Sequence, residues 1–470
     1  MVTTRRRNAL GSPQERAQLG MATRELVPAD AHAAVSTDGR DPVGVLAEQI
    51  PSRLPELVPV RHERMSASPF AFFRGAAAVM AADLARSPHT GLQAQLCGDA
   101  HLSNFGMFAS PERHLLFDIN DFDETYPGPW EWDLKRLAAS LVVAGRENDF
   151  SRKQIRKAVL ATVGQYRDAI ATFARQGNLE VWYARVDIAE AQRDLADVLD
   201  ARMSRRLDKA VAKARSRDHR HALAKLTEVV DGHRRIIGDP PFVVPISDLT
   251  PGMARDEVEE GVERLLWDYT ASLAPGHRDL ARSYTFVDMA RKVVGVGSVG
   301  TRCWIVLMRG RDDDDPLFLQ IKEAQSSVLA GHLSAHGPRN EGARVVSGQR
   351  VMQAASDIFL GWQRAVGLDG QSRDFYVRQL HDWKGSVTIE RMVPKGMRLY
   401  GQLCAWTLAR AHARSGDRIA IAAYLGDDDH VAMAVADFAE AYADLNERDH
   451  AAFVDAVTSG RLGVAREAMA

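Results

Sequence analysis

The stretch GDAHLSN at residues 98–104 is followed by the hydrophobic segment LLFDINDFD at residues 115–123. Asp99 precedes Asn104 by five positions, and Asp121 follows a segment with the composition of a strand. A phosphoryl-transfer site needs these groups, because one carboxylate takes the proton from the acceptor hydroxyl while an amide and a second carboxylate hold magnesium. The pattern therefore predicts catalytic roles for Asp99 and Asn104, and magnesium ligation by Asn104 and Asp121.

The acids around the second segment leave the choice of metal ligand open. Asp123 is predicted as a further ligand, and Asp118 remains an alternate, because one sequence does not define the strand register. A structural interpretation competes with this one. Asp99 could accept local N–H groups in a tight turn, with His101 packed in the core, and the three acids could form a hydrogen-bonded cluster.

A glycine-rich stretch, KVVGVGSVG at residues 292–300, lies in the second half of the chain. Dinucleotide-binding folds and kinases both use GxGxxG, but a dinucleotide fold requires a helix directly after it. The following residues 301–308, TRCWIVLM, are β-branched and aromatic and predict a strand. The glycines are thus predicted at a hairpin tip. The candidate nucleotide-contacting residues of this tip are Gly295, Gly297, Ser298 and Gly300.

A third strand is predicted at residues 317–324, LFLQIKEA, and carries Lys322 near its end. An ammonium is costly to desolvate unless an anion compensates it, although the lysine head could also extend to water. Three strands, a glycine-rich tip and a strand lysine are the parts that cover the phosphates of ATP in kinases. The acidic run at residues 312–315 is predicted to be a solvated turn.

These motifs resemble a known family. GDAHLSN is similar to the Gly-Asp-x-His-x-x-Asn catalytic loop of the aminoglycoside and choline phosphotransferases, DFD at residues 121–123 to their metal-binding strand end, and WDL at residues 132–134 to their following helix. Residues from about 60 to 460 also resemble an uncharacterised bacterial family of unknown function with this kinase-like signature. The resemblance implies an α+β, two-lobed, protein-kinase-like fold with a helix-rich large lobe.

The resemblance also implies roles for single residues. Asp99 would be the catalytic base, and Asn104 and Asp121 would bind Mg²⁺. Lys322 would contact the α and β phosphates of ATP. Asp133 would hold the catalytic loop by accepting its backbone N–H groups.

The order of the parts differs from that of the family. The catalytic loop comes about 200 residues before the glycine-rich hairpin, and Cys97 replaces the usual histidine. A circular permutation cut just before the catalytic loop would reconcile the order, because fold termini commonly lie near each other. In support, the segment 402–412 after the strand at 375–380 resembles the helix that precedes the catalytic loop in ordinary kinases.

The ion-pair partner of Lys322 has to come from another element. Glu323 is adjacent on the strand and points to the opposite face, so it cannot pair with Lys322. Glu341, at the start of the following helix, is the predicted partner and is counted with the nucleotide-binding residues. An equally open alternative is that Glu341 complements the helix dipole.

Composition excludes several classes of protein. The 470 residues are 46% hydrophobic with a net charge of −2, which predicts a soluble globular protein. Three cysteines without a CxxC pair argue against a disulfide framework and a zinc site, and no segment is apolar enough for export or membrane insertion. A cytoplasmic protein without a membrane partner is expected. The basic stretch 202–220 lacks interleaved aromatics and predicts a solvated helix face rather than a nucleic-acid partner.

The predicted organisation has four parts. The periodicity breaks around residues 239–245, where DPPFVVP predicts a connection between two halves. We therefore expect a flexible N-terminal arm, a helical lobe with the catalytic loop and metal-binding strand, a β-rich nucleotide-binding lobe, and C-terminal helices that complete the large lobe. The bounds are 1–40, 41–245, 246–400 and 401–470.

Taken together, the residues predict an ATP-dependent, Mg²⁺-requiring phosphotransferase acting on a hydroxyl of a small-molecule acceptor. Two alternatives remain: nucleotidyl transfer to a protein, with ATP bound in the reverse sense, and nucleotide-dependent regulation without turnover. A base at Asp99 beside Asn104 and Asp121 favours an enzyme, since a pure binder needs no base.

The basic group Arg61, His62, Arg64 and Arg74 could line an acceptor pocket or a helix surface, and no site is assigned to it.

Overall fold

The computed structural model describes residues 11–194, 201–333, 337, 339–380 and 382–462 of a mixed α+β protein. The α-helices are α1 (Pro13–Leu26), α2 (Pro42–Ala47), α3 (Val58–Ser66), α4 (Pro69–Gly75), α5 (Ala77–Leu84), α6 (Glu131–Glu147), α7 (Arg152–Arg175), α8 (Asn178–Tyr183), α9 (Ile188–Asp194), α10 (Ala201–Arg215), α11 (His219–Leu226), α12 (Ile246–Leu249), α13 (Arg255–Tyr269), α14 (Pro275–Arg282), α15 (Glu341–Met352), α16 (Pro394–Ser415), α17 (Arg418–Leu425) and α18 (His430–Thr458).

The strands form one larger sheet and three small ones within these residues. They are β1 (Gln93–Leu96), β2 (Phe105–Ala109), β3 (Leu115–Ile119), β4 (Tyr126–Pro129), β5 (Val186–Asp187), β6 (Thr227–Val230), β7 (His233–Ile236), β8 (Val243–Pro245), β9 (Thr285–Lys292), β10 (Cys303–Arg309), β11 (Pro316–Glu323), β12 (Gly361–Val366) and β13 (Ser372–Gln379).

The larger sheet is antiparallel, with the strand order β12-β13-β11-β10-β9-β8. The glycine-rich residues connect β9 to β10, so the predicted hairpin is confirmed. Cys303 opposes Lys322 across β10 and β11, which places the lysine at the end of the sheet nearest the glycine turn. The two central strands β10 and β11, rich in β-branched and large apolar residues, bury both faces.

Two small antiparallel sheets position the other half of the predicted site. β1 pairs with β4, and β2 pairs with β3. The GDAHLSN loop connects β1 to β2, and the DFD segment connects β3 to β4. Because Asn120 N–H also donates to Asn104 O at 2.8 Å, both segments lie at the same end of these sheets.

The helical half packs around α6, whose residues from Glu131 to Gly145 are buried. Its principal partners are α7, α16 and α18, and the apolar core that they share extends to Val345 in α15 and Tyr376 in β13. The sheet and the helical half are therefore joined by a common core. No helix in the described part of the chain is long and apolar enough to span a membrane.

The predicted flexible arm is wrong for residues 13–26, which form α1. Ser12 Oγ accepts from Glu15 N–H, and Glu15 Oε2 accepts from Ser12 N–H, which makes a capping box ahead of Pro13. Arg16 then forms an ion pair with Asp417 at 2.7 Å, beside α17. These contacts, not periodicity, order the segment. Residues 1–10 of the predicted arm lie outside the described residues.

The boundary predicted at residue 245 is too sharp. β8 pairs with β9, and Ala222 and Leu223 of α11 pack against the sheet, so part of the predicted helical lobe covers the β-rich half.

The solvated face predicted for the basic stretch is confirmed. Its exposed residues include Arg205, Arg206, Lys209, Lys213 and Arg215, while Val211 and Ala214 are buried.

Candidate active site

The loop between β1 and β2 is held by the first turn of α6. The backbone N–H groups of Cys97 and Gly98 donate to Asp133 Oδ2 and Oδ1 at 2.8 and 3.0 Å. Gly98 has φ of 81°, and a Cβ there would lie 2.2 Å from Glu124 O, so glycine is required. The anchoring role that the resemblance implies for Asp133 is confirmed.

The Asp99 carboxylate lies between two side chains that this loop and α6 provide. Arg136 Nε donates to Asp99 Oδ1 at 2.5 Å, and the guanidinium stacks on Phe73. His101 Nε2 lies 3.5 Å from Oδ2. Burial lowers the pKa of His101 to about 4, so the ring is neutral; because Nδ1 accepts from Ser103 N–H, Nε2 carries the proton. Oδ1 is therefore engaged in an ion pair, whereas Oδ2 faces a neutral imidazole at longer range.

The Asn104 side chain is oriented by the same loop. Its amide nitrogen donates to Asp99 O at 2.8 Å, the span that the five-residue spacing creates. The amide oxygen, Oδ1, is then the atom that could bind a cation, since an amide has one acceptor oxygen.

Asp118 is excluded as a metal ligand, because it belongs to a buried ion pair. Its side chain and that of Arg410 are each 1% exposed, and Arg410 Nη2 donates to Asp118 Oδ1 at 2.6 Å. Asp118 Oδ2 accepts from Ala354 N–H at 2.7 Å. Both oxygens therefore have structural donors.

Asp123 is the partner of Lys322. Lys322 Nζ donates to Asp123 Oδ2 at 2.7 Å, and Tyr376 OH donates to Oδ1 at 2.5 Å. Burial opposes ionisation of Asp123, but the lysine and the tyrosine together hold its pKa below the ordinary value. The predicted pairing with Glu341 is wrong, because Glu341 Oε2 accepts from Arg344 Nε at 2.5 Å. Since both of its oxygens are engaged, Asp123 is better assigned to the lysine than to a metal.

Of Asp118, Asp121 and Asp123, Asp121 has the carboxylate with the fewest hydrogen-bond donors. Burial, and then the charge of Asp123, raise the pKa of Asp121, while one of its oxygens accepts from Asp123 N–H at 3.2 Å. No group of three or more His, Cys, Asp or Glu side chains in the described residues could hold a metal ion. Magnesium here would take Asp121 and Asn104 from the protein and its other ligands from phosphates and water.

The glycine turn is tied to the N-terminal helices. Arg53 Nη1 donates to Gly297 O and Val299 O at 2.9 and 2.5 Å, and Arg64 Nη1 donates to Gly295 O at 2.6 Å. Gly300 has φ of 93°, and a Cβ there would lie 2.9 Å from Arg53 Cβ. The shape of the turn is therefore set by its glycine conformations and by hydrogen bonds from Arg53 and Arg64.

Both halves of the predicted site line one cavity of about 440 Å³. Lys322 is joined to this cavity through Asp123, whereas Gly300 and Glu341 lie outside the set of lining residues. The predicted residues that line it are Asp99, Asn104, Asp121, Asp123, Gly295, Gly297 and Ser298.

Several residues that shape the cavity are absent from the sequence-based prediction. Arg136 follows Asp133 by three positions on α6, and this spacing places both on one helix face, a signal that could have identified it. Arg53 and Glu124 line the cavity, and so does Arg74, for which an acceptor pocket and a helix surface both remained open. Nothing local in the sequence distinguishes Arg53 and Glu124 from surface residues, because their placement depends on contacts between distant segments.

Glu124 gives the site a titratable group near neutral pH. Burial raises the pKa of Glu124 from its ordinary value of 4.5 to about 7, although Val328 N–H donates to its Oε2 at 2.7 Å. A raised acid pKa stabilises the fold below the unfolded-state pKa, and this contribution disappears as pH rises through the folded-state pKa. The neutral Glu124→Gln variant should therefore gain Tm relative to wild type between about pH 5 and about pH 8.

Thermal unfolding at several pH values measures this difference. The exposed Glu112→Gln variant serves as the control and should follow the wild-type curve. Parallel Tm curves for Glu124→Gln and wild type would contradict the prediction.

Comparison with known proteins identifies a family. The profile of the family described as "Uncharacterized protein conserved in bacteria (DUF2252)" matches residues 53–456. No curated protein and no solved structure matches significantly. The matched region includes Arg53, Asp99 and the glycine turn, which line the cavity, and Lys322, which pairs with Asp123. The chain therefore belongs to the DUF2252 family of uncharacterised bacterial proteins.

Proposed function

We propose that this protein is a Mg²⁺-dependent phosphotransferase that moves the γ-phosphoryl group of ATP to a hydroxyl of a small-molecule acceptor. The observation that carries the proposal is the shared cavity. Asp99, Asn104 and Asp121 line it from one half, and the glycine turn lines it from residues about 200 positions later. Neither half alone contains a full set of phosphoryl-transfer groups.

A circularly permuted kinase-like fold is part of the proposal. In kinases the glycine-rich hairpin, the lysine strand and a helix precede the catalytic loop and the metal-binding Asp, whereas here the same two blocks come in the opposite order. Gln95 N–H of β1 donates to Ser415 Oγ, the last residue of α16, at 3.0 Å. The end of that helix thus lies beside the strand that enters the catalytic loop, as a permutation cut at this point requires.

The roles of the residues follow from their positions. A hydroxyl near Asp99 would give its proton to Oδ2 as its oxygen bonds to the γ-phosphorus, and the bond from that phosphorus to the bridging oxygen of ADP would break. Arg136 keeps the carboxylate oriented through Oδ1. Bound magnesium would neutralise phosphate charge between Asn104 and Asp121. Lys322 would turn from Asp123 toward the α and β phosphates.

The dimensions of the cavity favour a small acceptor. About 440 Å³ lies in the range of small-molecule pockets, which is about 300–1,000 Å³. Gly75, Ala77 and Ala78 of the N-terminal helices line the cavity together with Asp99.

One observation favours nucleotidyl transfer as a second candidate. A nucleotide with its γ-phosphate at Asp99 and its α and β phosphates at Lys322 would extend its base toward Gln320, on the same face of β11. That position is filled. Arg378 Nε donates to Gln320 Oε1 at 3.0 Å, and Arg378 Nη1 donates to Asn120 O at 3.1 Å.

The sheet face beyond Gln320, around Phe318 of β11, is also covered. Ala222 and Leu223 of α11 pack on Ile305 and Phe318. A base that does not displace these groups would lie on the side of the N-terminal helices, and the α-phosphate would then be nearer Asp99. That reversed arrangement suits transfer of a nucleotidyl group.

Incubation with Mg²⁺ and ATP labelled at the α or the γ position, with and without a metabolite extract, separates the possibilities. Transfer of the γ label to a small molecule would support the phosphotransferase. The α label on protein would support nucleotidyl transfer. Nucleotide binding without any transfer would favour a regulator, and no binding would overturn all three.

Nucleotide binding should depend on a divalent ion and on Asp121. The triphosphate and this carboxylate repel each other unless a cation bridges them. ATP at about 100 times its Kd should stabilise wild type by about 2.7 kcal/mol, seen as a rise in Tm that Asp121→Asn loses. Asp313→Asn, in an exposed turn, is the matched control. A rise in Tm without magnesium, or an equal one with NAD, would contradict this prediction.

A further inference from the structure

The N-terminal wall of the cavity combines small side chains with two arginines. Gly75, Ala77 and Ala78 provide little chemistry, whereas Arg53 and Arg74 are basic side chains that line the same cavity. Arg74 is close enough to Asp99 for the two charges to interact, so an acceptor whose hydroxyl meets Asp99 would lie near Arg74. The two arginines therefore bear on which acceptor fits.

The two arginines differ in their partners. Arg53 donates to carbonyls of the glycine turn. The Arg74 side chain makes no hydrogen bond or ion pair with the residues that the structure describes, and its Nε is buried without a partner. Glu390, Asp99 and Glu147 interact with the Arg74 guanidinium electrostatically but do not form ion pairs with it. Partial burial of a guanidinium costs free energy unless an anion accepts its hydrogen bonds.

Three of the acids that line the cavity already have basic partners: Asp99 pairs with Arg136, Asp123 with Lys322, and Glu323 with Arg302. Glu390 and Glu147, the other acids whose charges act on Arg74, form no ion pair with it among the described residues. The Arg74 guanidinium therefore keeps hydrogen-bond donors for an anion.

We propose that Arg74 binds an anionic group, phosphate or carboxylate, on the acceptor, so that the substrate is a hydroxyl compound that also carries negative charge. This inference rests on the proposed phosphotransferase. A guanidinium can bind such a group with two parallel hydrogen bonds and thereby orient the hydroxyl toward Asp99. A cationic acceptor would instead place like charge beside Arg74.

Titration calorimetry with inorganic phosphate tests the site without knowledge of the acceptor. Wild type should bind phosphate both alone and with saturating Mg²⁺ and a nonhydrolysable ATP analogue. Arg74→Gln should weaken phosphate binding by about tenfold or more, the loss expected for a charge-assisted contact, and leave the affinity for the analogue unchanged. Arg152→Gln, which removes an exposed charge, is the matched control.

Three results would overturn the proposal: no phosphate binding to wild type, an unchanged phosphate affinity in Arg74→Gln, or displacement of phosphate by the analogue together with weaker analogue binding in Arg74→Gln. The last would assign the arginine to the nucleotide. Failure of the analogue to bind would contradict the proposed function, while the titration without nucleotide would still decide whether Arg74 binds anions; the assignment to an acceptor would then fall with the phosphotransferase.

Discussion

Replacement of Asp99 by Asn is expected to reduce phosphoryl transfer by about a hundredfold or more while nucleotide affinity stays near that of wild type. The amide cannot take the proton from the acceptor hydroxyl, but it keeps the size of the side chain beside Arg136. Release of ADP under saturating ATP measures the turnover, and titration with a nonhydrolysable analogue measures the affinity.

Lys322→Ala provides the contrasting variant. It should weaken nucleotide binding, because in the proposed arrangement Lys322, now 2.7 Å from Asp123, would contact the α and β phosphates. Asp313→Asn should change neither quantity. If Asp99→Asn lost nucleotide affinity as Lys322→Ala does, the role of Asp99 would be structural, as the anchor of Arg136.

Replacement of Asp118 by Ala is expected to lower the free energy of unfolding by about 3–5 kcal/mol, the cost of leaving a buried charge without its partner. Arg410 would lose the carboxylate that lies 2.6 Å away, and Ala354 N–H would lose its acceptor. Burial already raises the pKa of Asp118 and lowers that of Arg410, so each charge depends on the other. Urea unfolding followed by circular dichroism measures the change.

Two variants make this prediction specific. In Asp118→Ala/Arg410→Met the unpaired charge is gone, so part of the lost stability should return. Asp168→Asn breaks an exposed pair with Arg167 and should cost at most about 1 kcal/mol. Equal effects of the buried and the exposed substitutions would show that the Asp118 pair does not support the fold.

Much of the fold follows from local patterns. The hairpin at the glycine turn, the strand that carries Lys322 near its end and the helix that begins near Asp133 all lie where their residue types predict. The spacing of Asp99 and Asn104 also has a local basis, since the amide of one bonds the carbonyl of the other. The helix at residues 13–26 was missed because its capping box, not its periodicity, was the informative signal.

The choice among the acids at residues 118–123 required the tertiary structure. Asp118, Asp121 and Asp123 have the same chemistry, and two of them acquire structural roles from partners that are distant in sequence. Asp118 meets Arg410, and Asp123 meets Lys322. Neither pairing can be deduced from the intervening residues.

The sequence by itself determined the groups that the protein can use: a carboxylate and an amide on one loop, an acid after a strand, a glycine hairpin and a strand lysine. These motifs are local, since their geometry depends on neighbours within a few residues. The tertiary structure decided that Lys322 pairs with Asp123 rather than Glu341, and that Arg53 and Arg74 close the cavity. Those outcomes depend on how segments hundreds of positions apart pack, and packing is set by the whole core rather than by any one stretch.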